Sequence, residues 1–184
     1  MDQLHITAEG TPNPNTVKFK VNRTLIENGT GNFATRESAQ GSLLPLALFE
    51  IDAVESVFVG KSFISITKTH DASWDALIPV TDKMKEVLDS GQQLLLPESI
   101  TPAFQSEGDS VIAQQIIDIL DREIRPAVAR DGGDITFEGY ENGVVMLHLQ
   151  GACSSCPSAA ITLKMGVESM LKQHIPEVRE VVQV

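Results

Sequence analysis

The sequence is short of cysteine, of aromatic residues and of positive charge, and each shortage excludes a class of function. Two cysteines among 184 residues, three positions apart, are too few and too close to build the disulfide framework of a secreted domain. With a single tryptophan and a single tyrosine, stacking on nucleobases is not the main business of the chain. Fourteen lysines and arginines stand against 25 aspartates and glutamates, a formal net charge of −11. The acidity is spread, with −6 over residues 1–108 and −5 over 109–184, which argues against phosphate backbones and anionic membranes as partners. No apolar run approaches the ~20 residues of a membrane span. The opening Met1-Asp2-Gln3-Leu4-His5 has neither a signal-peptide pattern nor the Arg-rich character of a transit peptide. A cytoplasmic protein is expected, or one of the mitochondrial matrix if this is a trimmed eukaryotic form. Neither nucleic acid nor membrane is expected as a partner.

What is present divides into two halves. Apolar residues make up 42% of the chain, enough for a core in each. Pro97-Glu98-Ser99-Ile100-Thr101-Pro102, continuing to Gly108, interrupts the hydrophobic periodicity and reads as a linker over 97–108. Residues 1–96 read as a small α+β domain. Thr11-Pro12-Asn13-Pro14-Asn15 is turn chemistry, and Val17, Phe19 and Val21 alternate onto one face of a strand over 16–21. A short helix is expected near Pro45 to Phe49, and a hairpin where 54–59 and 63–67 flank Gly60-Lys61-Ser62. Residues 74–88 have helical spacing, with Pro79 expected to kink or restart the helix.

Residues 109–184 read as an αββαβ unit with a three-stranded sheet. Ser110 or Asp109 caps a helix with the stripe Ile112, Ile116, Ile119, Leu120 and Ile124, which Pro126 bends or restarts and Asp131-Gly132-Gly133 ends. Asn142-Gly143 joins strands over 134–140 and 144–149, both residues accepting positive φ. A helix over 157–174, burying Ala160, Leu163, Val167, Met170 and Leu171, and a strand over 178–184 complete the unit. The fold class is α+β, with two small domains.

The chemistry concentrates in Gly151-Ala152-Cys153-Ser154-Ser155-Cys156-Pro157, between a strand end and a helix start. Backbone N–H groups and the positive helix end favour thiolates at such a place, and Pro157 suits the first helical turn. The spacing lets Cys153 and Cys156 face one metal centre, but iron–sulfur clusters and structural zinc take four ligands. A symmetric dimer supplies the missing two and places the site on its two-fold axis, on an exposed loop that eases hand-over. Taken alone, the spacing also fits a thiol-disulfide oxidoreductase, half of a zinc site, or an inert pair.

Arg125-Pro126-Ala127-Val128, Asp131-Gly132-Gly133-Asp134-Ile135, the cysteine segment, Thr162-Leu163-Lys164 and Pro176-Glu177-Val178 together resemble the NifU C-terminal domain. Thr11-Pro12-Asn13-Pro14-Asn15-Thr16, Val57-Phe58-Val59-Gly60 and Ile66-Thr67-Lys68 are similar to the N-terminal domain of Nfu-type proteins. The resemblance covers nearly the whole chain. It implies an iron–sulfur scaffold or carrier, not an enzyme, with a [4Fe-4S] cluster bridging a homodimer. Cys153 and Cys156 are the implied ligands, upstream cluster assembly proteins the suppliers, and apo iron–sulfur proteins the recipients. Ala159, where serine is common, and Ala53, where glycine is common, leave the ligands untouched. His148 is read as structural or solvent-facing, Asp131 and Asp134 as turn and cap residues, Lys164 as a surface lysine, and Met165 and Met170 as core or dimer contacts.

Overall fold

Alternating apolar residues in the N-terminal half pack one side of an antiparallel sheet against two helices. In the computed structural model the described residues are 3–101, 111–154 and 157–184, the side chains of 157–160 excepted. Among them the sheet has six strands, β1 (Ile6–Gly10), β2 (Thr16–Val21), β3 (Thr30–Phe33), β4 (Val54–Val59), β5 (Phe63–Lys68) and β6 (Ile100–Thr101), ordered β1-β2-β5-β4-β3-β6. The β4–β5 hairpin turns through Gly60–Ser62 as expected, closed by the Gly60 N–H donating to the Phe63 carbonyl at 2.9 Å. Phe19, Val21, Val57, Ile64 and Ile66 bury one face beneath α1 (Leu43–Leu48) and α2 (Pro79–Asp89). Pro79 does restart the helix: Trp74–Leu77 is a 3₁₀ turn, and α2 begins at the proline, where a missing N–H is harmless.

β1, β3 and β6 were not expected from the sequence. β6 falls inside the stretch read as linker, where Ile100 and Thr101 pair with Gly31 and Thr30 of β3.

The opposite face of this sheet is also buried. Thr16 and Lys18 on β2, Phe58 on β4 and Ser65 and Thr67 on β5 lie there, because side chains alternate along a strand. The C-terminal half covers it.

That half opens with one continuous helical run. α3 (Val111–Ile119) passes through a π-helical turn over Leu120–Ile124 into α4 (Arg125–Arg130). Pro126 has no N–H to continue the α-ladder, and the turn absorbs the break: the Arg125 N–H reaches back five residues to the Leu120 carbonyl. Ile116, Ile119, Leu120 and Ile124 of the predicted stripe are buried, and Ile112 is partly so. The expected cap at Ser110 or Asp109 lies outside the described residues, as does the Ala160 side chain. Gly132, at φ +83°, ends the run.

β7 (Gly133–Glu141) and β8 (Val144–Gly151) form the predicted hairpin, with Asn142 at φ 51° and Gly143 at φ 87°. α5 (Pro157–His174) then carries the chain to β9 (Glu180–Gln183), which pairs parallel to β8. β9 is shorter than the expected 178–184 because Val178 still closes a turn onto the Ile175 carbonyl. The order β7-β8-β9 gives the αββαβ unit.

Candidate functional site

The cysteine segment leaves β8 at Gly151, whose φ of +65° turns the chain back over the start of β7. The Ala152 N–H donates to the Gly132 carbonyl at 3.2 Å. Ser154 donates to the Gly151 carbonyl through its N–H at 3.2 Å and its hydroxyl at 2.9 Å. These bonds tie the residues before and after Cys153 to the two glycines that the sequence places at the end of α4 and the end of β8. Cys153 is 4% exposed and belongs to the C-terminal core. The sequence reading expected an exposed loop. The difference arises because the side chain turns into the C-terminal core against Gly133; beside it Asn13, from the turn before β2, donates its amide to the Ala152 carbonyl at 3.1 Å in a buried contact. Cys156 lies outside the described residues.

Gly133 lets the sheet approach the sulfur. A Cβ at Gly133 would stand 2.8 Å from Cys153 Sγ and 2.5 Å from the Gln150 carbonyl oxygen, both far inside ordinary contact. Gly133→Ala is therefore expected to displace the ligand loop and to cost about 1–3 kcal/mol, read as a lowered urea midpoint. An unchanged midpoint contradicts this packing. Beside the thiol lies a cavity of about 510 Å³ between the α3–α4 run and α5, lined by Ile124, Val128, Val167 and Met170 with Pro12 at its edge.

Behind the loop, Asp134 is buried and takes a bidentate ion pair from Arg125, Nε to Oδ1 at 2.8 Å and Nη2 to Oδ2 at 2.7 Å. Oδ1 also accepts the Ile135 N–H at 2.8 Å, and Arg125 Nη1 reaches Asp121 at 2.9 Å. Burial alone would lower the Arg125 pKa, but hydrogen bonds and charge from Asp134 and Asp121 outweigh it and hold the pKa above its ordinary value. Asp134 is thus the anchor of α4 to β7, not the turn residue that the sequence suggested. Asp131 does cap α4, its N–H donating to the Ala127 and Val128 carbonyls at 3.3 and 3.0 Å.

Comparison with known proteins places this arrangement. The model of the NifU-like domain matches residues 116–182, and that of the scaffold protein Nfu/NifU N-terminal domain matches 6–91. The human "NFU1 iron-sulfur cluster scaffold homolog, mitochondrial" is 41% identical over 98% of this chain and 72% of its own length. The chain belongs to the Nfu/NifU-like family. The Arabidopsis thaliana "NifU-like protein 4, mitochondrial" is 40% identical over 98% of this chain and 66% of its own. Among solved structures, a NifU-like protein from Saccharomyces cerevisiae aligns with 53% of this chain and 91% of its own, at 23% identity and a TM-score of 0.44.

In this Nfu/NifU-like chain Met170 lines the cavity beside the thiol, whereas His148, Lys164 and Met165 do not. His148 is held by the Val184 carbonyl, 2.9 Å from Nδ1, a structural contact. Lys164 faces Glu180 at 3.8 Å. The two methionines separate: Met170 packs against the core, while Met165 is exposed. Among the described residues, no group of three or more His, Cys, Asp and Glu converges on a common point. No helix among them is long and apolar enough to cross a membrane. The sequence reading missed Asn13 as a neighbour of the ligand segment and Lys18 as a neighbour of the end of α4. A turn asparagine and an alternating strand lysine give no local signal of a contact more than a hundred residues away.

Proposed function

We propose that the protein is an iron–sulfur cluster scaffold or carrier, holding a [4Fe-4S] cluster between two copies of itself and passing it to apo-proteins. Cys153 and Cys156 of each copy are the ligands, and the carrier catalyses no covalent reaction of its own. The units doing this are an N-terminal domain over 1–96 and a cluster-binding domain over 109–184, with 97–108 between them. The observation that carries the reading is the ligand count: the chain has two cysteines, and a cubane takes four thiolates. Membership of a family whose human relative is named a cluster scaffold supports the same cargo. The relatives named above are mitochondrial, which favours the matrix alternative over the cytoplasmic one.

The second copy has a surface to meet. Ile161 and Met165, one turn apart on α5 and close behind the ligand segment, are 63% and 68% exposed. An aspartate at either position is expected to weaken the loaded dimer at least tenfold, by analogy with charge placed in an apolar interface core. Sedimentation of the cluster-loaded protein reads this directly; dimers of unchanged strength remove α5 from the interface.

Transfer itself separates the carrier from the thiol-disulfide oxidoreductase that the cysteine spacing also allows. Loaded protein mixed with an apo iron–sulfur enzyme is expected to restore that enzyme's activity with loss of colour from the donor. Protein that stays colourless and reduces insulin disulfides would reverse the assignment.

A further inference from the structure

The 18-residue helix α5 carries a glycine in its middle. Gly166 is exposed, and a Cβ built there would meet no atom within 4 Å among the described residues. Glycine inside a helix is destabilising relative to alanine, and nothing within the described chain repays it here. Gly166 is not one of the positive-φ glycines, so no turn requires it, and no neighbour crowds it.

Its surroundings are apolar. Gly166 lines the cavity beside Cys153 on the α5 side, with Leu163, Val167 and Met170, opposite Ile124 and Val128. The exposed Ile161 and Met165 stand one residue before Thr162 and Gly166, on the next ridge of the same helix. One helix thus presents an apolar ridge and, beside it, the apolar wall of an open cleft.

Charge selects the occupant. A chain of net charge −11 meets a copy of itself only where like charges do not oppose. Ile161, Thr162, Met165, Gly166 and Ser169 form an uncharged, exposed stripe along α5. The flanking Lys164 and Glu168 are answered within the chain by Glu180 and Lys172. At the rim of the cavity Glu123 is paired with Arg122 at 2.9 Å, and Asp131 is open to water. A two-fold contact also needs one patch to hold both halves of the fit. α5 holds both, as ridge and cleft.

We propose that two copies cross α5 on α5 at Gly166, the Ile161–Met165 ridge of each entering the cavity of the other. The missing Cβ lets the two backbones approach, and the ridge displaces water from beside Cys153. The second copy thereby contributes apolar side chains to the site as well as thiolates. The crossing rests on the dimer-bridging function above and names its contact.

Gly166→Ala and Gly166→Gln test it by setting good helix formers into open space. In the unloaded full chain, at a concentration where it is monomeric, both are expected to raise the urea midpoint. In the loaded protein the same side chains stand where the second α5 crosses. Overpacking there is expected to weaken the dimer, about threefold for alanine and at least tenfold for glutamine, read by sedimentation over a concentration series. Damage to the fold cannot produce a gain in one measurement and a loss in the other. A loaded Gly166→Gln dimer within twofold of the parent overturns the crossing and leaves the carrier function standing. An alanine midpoint that fails to rise shows that the chain itself uses the glycine, and overturns the crossing as well. A parent that takes up no cluster and stays monomeric sinks the carrier function and the crossing together.

Discussion

Cys153→Ala and Cys156→Ala are each expected to abolish cluster retention, taking iron from about four per dimer to background. Symmetry doubles the effect. Each substitution removes one thiolate from each copy, so the shared site falls from four ligands to two. Fold loss is a separate matter and is separately measurable. Cys153 packs in the C-terminal core, so its truncation is expected to lower stability by about 1 kcal/mol, leaving a cooperative urea transition. A single variant that keeps a full complement of iron would show that the cluster is held elsewhere.

Asp134→Ala is expected to be the most damaging single change to stability, by about 3 kcal/mol in urea denaturation. The aspartate is 4% exposed and takes both arms of the Arg125 fork. Its removal strands a largely buried guanidinium, and breaking a buried pair costs far more than the pair is worth against apolar residues. Asp121 still reaches Arg125 at 2.9 Å, which keeps the expectation at the lower end of the range. The double variant Arg125→Met with Asp134→Leu is expected to recover most of the loss, since neither charge is then left alone. Loss below 1 kcal/mol in the single variant contradicts the role of the pair as the link between α4 and β7.

Features with strong local physics were legible in the sequence. Asn142-Gly143 demanded positive φ at two successive residues and so a tight hairpin, and Pro79 had to restart a helix. The period of Ile116, Ile119, Leu120 and Ile124 had to face a core. The strands that escaped prediction lacked such physics. β3 is Thr30-Gly31-Asn32-Phe33, buried at three of its four positions and without alternation, and β6 is two residues long. β1 lies at the sheet edge and buries no residue fully.

The site was half legible for a related reason. The thiols, the helix start behind them and the ligand shortfall are local or countable. The burial of Cys153 is neither, because it depends on how the turn after β8 folds back over Gly133 into the C-terminal core. Lys18 alternates with Val17 and Phe19, which is the pattern of a solvent-facing charge, and only the covering domain turns that face inward. Gly133 was visible as part of a helix stop, whereas its closeness to the sulfur depends on the path of β7 under the turn.

One measurement tests the shared cluster most directly: anaerobic reconstitution of the full chain with iron and sulfide, with Mössbauer spectra and mass taken on the same sample. The prediction is about four irons per dimer in the spectrum of a thiolate-ligated cubane, with dimer formation following iron uptake. A cluster-loaded species that stays monomeric without added thiols would contradict the account, as would protein that binds zinc but no iron.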